Sequence, residues 1–256
     1  AEDIELLEPD CRLILPYEAH AHDAMGELVE SAKRDLAPYY PLPKWKESPT
    51  GVIGDAVMWA GSQLISYTVG EAFNGHGFVF APNILKTYQN VVDIFHRAGI
   101  AVPEDLVAGL ARQYITHELG HSYLHPADTF MVEITTDITT VLVILQHALT
   151  KSDEKLTEAV AMLFGEYLVY AGIDQTGEAS SDGYRISSIF VTNKLLEYNL
   201  VEVLQNGRLH IHQDRSNCRE LLNELRTVHA KLIAGDQGTI DGLLALNSSG
   251  YLSPLQ

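Results

Sequence analysis

Cysteine is nearly absent: Cys11 and Cys218 are the two in 256 residues, far apart and outside any C-x-x-C spacing. That excludes a disulfide framework and a thiolate metal cluster, and makes a reducing compartment the default. Basic residues are also few, 17 Lys and Arg against 34 Asp and Glu, for a formal net charge of −17. A surface of that sign repels phosphate backbones and anionic headgroups, so neither nucleic acid nor membrane is expected as a partner. It suits solubility and attraction to a basic peptide, and equally a generally acidic surface without partner meaning. Long apolar runs are missing too: stretches such as Val141 to Leu145 are far short of the ~20 residues that span a bilayer. No charged start with an apolar stretch behind it opens the chain, so a cytoplasmic protein is expected, although a first residue of Ala rather than Met leaves room for processing. No internal repeat or low-complexity tract stands out.

What is present lies near the middle, where residues 117–121 read His-Glu-Leu-Gly-His and are followed by Glu133 and Asp137. Two histidines four apart on a helix project from one face a turn apart, so both imidazoles can reach one ion. The arrangement is H-E-x-x-H, in which the glutamate serves as general base beside a zinc. The stretch from Pro103 to Pro126 predicts one helix, opened by a proline and acidic residues and stopped by a proline. Leu106, Leu110, Tyr114, His117 and His121 form one stripe along it, which places the histidines on the face that packs inward. A second helix starting near Thr129 carries Glu133 and Asp137 on one face, four apart. A catalytic zinc needs a third protein ligand and an open position, and Glu133 supplies an oxygen donor for it. The competing reading is a pair of core or solvated histidines with no metal, which the two carboxylates on the next helix disfavour. His125 continues the four-residue series, but three successive turns rise about 12 Å, too far for one ion. It suits the helix C-terminus instead, or a place behind the ligands.

His117-Glu-Leu-Gly-His-Ser-Tyr-Leu-His125, with Glu133-Ile-Thr-Thr-Asp137 opening an apolar helix, resembles a gluzincin. Among these it is most similar to the ImmA/IrrE-type metallopeptidases. The resemblance covers residues 65–150 at most and is specific for the metal core. It implies a zincin-like fold and a Zn2+ held by His117, His121 and Glu133, with Glu118 as base. The extension typical of metzincins is absent, Leu124 and Ala127 standing where a glycine and a third histidine would be. Ile134, Thr135, Thr136 and Asp137 depart from the residues usual after the glutamate in that family, and Glu-x-x-x-Asp is closer to the thermolysin-like pattern. The substrate therefore does not carry over.

Elsewhere, Arg12 to Leu15 suggests a short strand, 20–37 an amphipathic helix, and the proline- and aromatic-rich stretch 37–50 a loop. A helix from Gly54 to Leu64 and a strand over 65–69 follow, then a strand from Phe78 ended by Pro82 and a helix from Tyr88 to Ala98 capped by Gly99. In the zincin folds that the resemblance implies, the strand before the metal helix is often an edge that pairs with substrate, so Gly77 to Ala81 is the candidate edge. A central strand fits the same residues. Beyond the metal core, 154–170, 182–204 and 215–234 predict helices separated by turns at 172–183 and 206–214. The expected architecture is a single α+β domain over 1–256: a small N-terminal sheet on the metal helix within about 1–128, and a mostly helical half over 129–256.

The chemistry expected is peptide-bond hydrolysis by a zinc-bound water, with Glu118 taking its proton and passing it to the leaving amine. Tyr184 is the candidate to stabilise the oxyanion; Tyr167, His210 and His212 are weaker ones, and packing is the commoner role for each of the four. Glu133 is the expected ligand because it is longer than Asp137, which is left to accept a hydrogen bond from the non-ligating nitrogen of His117. The expected partner is a protein or peptide substrate. The alternative is a catalytically silent relative of the same fold that binds or regulates a partner.

Overall fold

The computed structural model describes residues 6–7, 10–14, 30–40, 45–46, 70–73, 76–123, 129–171 and 179–249. In chain order the strands and helices are β1 (Leu6–Leu7), β2 (Asp10–Ile14), β3 (Trp45–Lys46), β4 (Gly70–Phe73), β5 (His76–Phe80), α1 (Ala81–Ala98), α2 (Leu106–Tyr123), α3 (Thr129–Thr150), α4 (Asp153–Ala171), α5 (Ala179–Glu197), β6 (Val201–Val203), β7 (Leu209–Ile211), α6 (Arg215–Ile233) and α7 (Gln237–Ser249). A further helical turn pair occupies 30–36. The chain separates into two compact units, 1–86 with 105–126 and 87–104 with 127–256.

In the first unit β5 is central in a three-stranded sheet, parallel to β2 from Asp10↔His76 to Ile14↔Phe80 and antiparallel to β4 from Gly70↔Val79 to Phe73↔His76. Both hydrogen-bonding edges of β5 are therefore used, and the expectation of a free edge at Gly77 to Ala81 is corrected. Pro82 does not end the strand either: the strand stops at Phe80, and the proline is the second residue of α1, where its missing N–H is one the helix leaves unbonded anyway. α2 packs against β5, β4 and β2. Arg112 on α2 is tied to Asp35 by a partly buried ion pair.

α3 is the core of the second unit, packed by α5, α6 and α4. Every residue from 133 to 145 on it is buried. Its threonines make that possible by bonding their hydroxyls back along the helix, Thr135 to the Met131 carbonyl at 2.7 Å, Thr139 to that of Thr135 at 2.7 Å and Thr140 to that of Thr136 at 2.9 Å. By length and composition the stretch Phe130–Thr150 would also cross a membrane, and 78% of its most apolar window is buried in the protein, as in a core helix.

The fold class differs from the expectation. Seven helices of 13 to 22 residues make up most of the described chain, and no described strand exceeds five residues. The α+β, zincin-like class is therefore corrected to a predominantly helical one, because apolar residues recur at helical spacing from Ala81 onward while the sheets are held to short strands. The helix expected over 182–204 stops at Glu197, and β6 and β7 form an antiparallel hairpin beyond it, with Val201↔Ile211 and Val203↔Leu209 paired. Asn206-Gly207 turns this hairpin, Gly207 with φ 74° supplying the left-handed conformation. The expected helix at 54–64 and strand at 65–69 lie outside the described residues.

Candidate metal centre

α2 is entered through a turn at 104–105, and its first bond runs from the Gly109 N–H to the Asp105 carbonyl at 2.9 Å. Leu106, Leu110 and Tyr114 are buried along the predicted stripe, and burial goes beyond it, since all residues from 113 to 120 are enclosed. The helix is therefore a central element rather than an amphipathic one. His117 is 5% exposed and Glu118 2%, while His121, one turn on, is half-buried.

The two imidazoles converge, Nε2 to Nε2 at 2.9 Å, with ring centroids 4.6 Å apart and planes crossed at 75°. That is hydrogen-bond distance, with the tautomer deciding which ring donates. Two nitrogens each ~2.0–2.1 Å from a tetrahedral zinc stand about 3.4 Å apart, so the pair needs to open by only about half an ångström.

Glu133 lies on the second turn of α3, 7% exposed. Its stem is packed by Gly183 of α5, where a Cβ would come within 2.8 Å of the Glu133 Cβ. One donor atom from each of His117, His121 and Glu133 lies within 4.8 Å of the others, so this buried group can hold a metal ion. Two imidazole nitrogens and a carboxylate oxygen form the donor set of an open catalytic zinc rather than of a closed thiolate site, so the residues fit the expected ion.

Asp137, one turn beyond Glu133, is 3% exposed. Its Oδ1 accepts a hydrogen bond from the Tyr167 hydroxyl at 3.1 Å, and its Oδ2 accepts from Ser187 Oγ. Ser187 has a single proton and also lies 3.0 Å from the Gly183 and Tyr184 carbonyls, and the carboxylate is the strongest acceptor of the three. Tyr167, a weaker oxyanion candidate, thus holds Asp137 from α4. Tyr184 is half-buried on α5, beside the Gly183 that touches Glu133, and Gly183 belongs to that helix rather than to the expected turn. His210 and His212 stand on the β6–β7 hairpin, and His125 lies outside the described residues.

Sequence spacing missed Gly183 and Ser187. A glycine and a serine four apart on one helix mark a small-residue face suited to close packing, a signal that was there to be read. Comparison with family models, with curated proteins and with solved structures finds no match.

Proposed function

We propose that the chain is a zinc-dependent metallopeptidase of gluzincin type, hydrolysing peptide bonds in a protein or peptide substrate. The observation that carries this reading is the convergence of one donor atom each from His117, His121 and Glu133, with Glu118 buried directly after the first of them. Zinc in such a site supplies Lewis acidity and a water acidic enough to attack at neutral pH. Glu118 takes the proton of the attacking water and delivers it to the leaving amine, a role that its buried carboxylate fills without competing for the ligand positions. Asp137, held by Tyr167 and Ser187, stands a turn from Glu133 and serves as a positioning residue for the ligands. Tyr184, next to the Gly183 that touches Glu133, is the side chain proposed to steady the oxyanion. The acidic net charge favours a basic peptide, in a reducing compartment such as the cytoplasm.

Elemental analysis of the purified protein and digestion of a peptide library, each for the wild type and Glu118→Gln, test the proposal. About one zinc per chain in both proteins, with turnover in the wild type alone, is the expected result. Zinc without turnover in either points to a silent binding protein, and no transition metal in either refutes the metal site itself.

A further inference from the structure

The β6–β7 hairpin carries donors that the metal centre does not use. Burial alternates along β7: Leu209 and Ile211 are 3% and 6% exposed, while His210 between them faces out. Residues two apart on a strand share a face, so His210 and His212 point the same way, and their ring centroids are 4.3 Å apart. Glu202 is the direct cross-strand partner of His210, and its Oε2 reaches the Nε2 of His212 at 3.4 Å. The ladder continues on both sides, with His212 N–H bonded to the Leu200 carbonyl at 3.0 Å and Leu204 N–H to that of Arg208 at 2.8 Å. Arg97 fastens the turn by donating to the Gly207 carbonyl at 2.9 Å. The three donors therefore stand on a rigid, anchored ribbon.

From this juxtaposition we infer a second, solvent-facing site for a divalent transition ion, held by His210, His212 and Glu202. Two imidazoles and one carboxylate suit the nitrogen-preferring end of the first-row series, Ni2+, Cu2+ and Zn2+, over Mg2+ or Ca2+. Among the described residues only His117, His121 and Glu133 already bring their donor atoms within 4.8 Å of one another, so the hairpin donors do not yet face one point. His210 is exposed, and the χ2 torsion of histidine is broad, so turning one ring completes the site without moving the backbone. Arg208 precedes on the same face, but its Nη2 lies 3.4 Å from where a Cβ on Gly99 would be, so the guanidinium is laid against the α1 terminus. Water takes the remaining positions, and micromolar affinity is expected for so open a site.

Equilibrium dialysis of the full chain against Ni2+ alone, for the wild type and for the double variant His210→Ala/His212→Ala, reads the site directly. The wild type should bind one equivalent more than the variant, whether the buried His117 group contributes one equivalent or none, so failure of the one site is distinguishable from failure of the other. Substoichiometric Cu2+ should broaden the imidazole NMR signals of both hairpin histidines, and Glu202→Gln should weaken Ni2+ binding about tenfold. Equal stoichiometry and affinity in the two proteins would overturn the inference and leave Glu202 and His212 as a surface contact alone. Broadening of His212 without His210 would overturn it too, because two imidazoles are required.

Discussion

Replacing Gly183 by alanine tests how α5 seats the proposed ligand on α3. A Cβ at that position would lie 2.8 Å from the Glu133 Cβ, 3.3 Å from its Cγ and 3.0 Å from the Phe130 carbonyl oxygen. Carbon atoms rest about 3.5–4.0 Å apart, so the new methyl is roughly 0.7 Å too close to a stem carbon that cannot swing aside. Overpacking of this kind costs about 1–3 kcal/mol, against a gain of about 1 kcal/mol from replacing a helical glycine. The net is a loss of about 0–2 kcal/mol, and about 2–4 °C of melting temperature per kcal/mol in a chain of this size. The strain falls on Glu133 in particular, and each 1.4 kcal/mol that it adds to the bound geometry weakens zinc about tenfold. Gly183→Ala should therefore lower the melting temperature by a few degrees and weaken zinc by about tenfold, read by competition with a chromophoric chelator. A raised melting temperature with unchanged zinc affinity, the outcome of helix propensity acting alone, would refute the close approach.

Glu133→Ala should abolish zinc binding at micromolar metal and Asp137→Ala weaken it about 10–100-fold; a metal titration in which the order is reversed makes Asp137 the ligand. Burial pulls the pKa of His229 down to about 4, so the folded state takes up its proton later than the unfolded chain does. Its contribution to stability is whole above pH ~6.5 and is lost as the pH falls from there to about 4, by about 3–4 kcal/mol in all; urea melts of the wild type and His229→Gln across that window should converge at the acid end. Burial pushes the Cys218 thiol up to about 12 despite Arg219 and Arg215 nearby, so iodoacetamide at pH 8 should leave Cys218 unmodified in the folded protein and label it in urea, as read by peptide mass spectrometry.

Much of the helical framework was legible because long segments repeat the helical period many times. The helices expected over 154–170 and 215–234 are α4 over Asp153–Ala171 and α6 over Arg215–Ile233. α6 opens where Asp214 accepts hydrogen bonds from the Ser216 and Asn217 amides at 2.8 and 2.9 Å. The hairpin was lost to the same habit of reading, because strands of three residues show hardly more than one alternation, and Asn206-Gly207 was taken for an interhelical turn. The all-round burial of α2 was illegible for another reason: Thr116, Glu118 and Gln113 are polar, and only tertiary packing tells that they are enclosed.

The site divides along the same line. Spacing within a helix puts His117 a turn before His121 and Glu133 a turn before Asp137, because a helix converts sequence distance into position without reference to anything else. What each side chain meets across the gap between helices has no such rule. Asp137 was read through the ligand histidine it would orient, and spacing gave no sign of Tyr167 and Ser187, which donate to its two oxygens from 30 and 50 residues further along the chain. Those two hydroxyls fix the carboxylate on α3 from α4 and α5 inside the second unit. Asp137 is thus positioned by the packing that also brings Gly183 against Glu133, and a change to the α3–α5 contact acts on both carboxylates together.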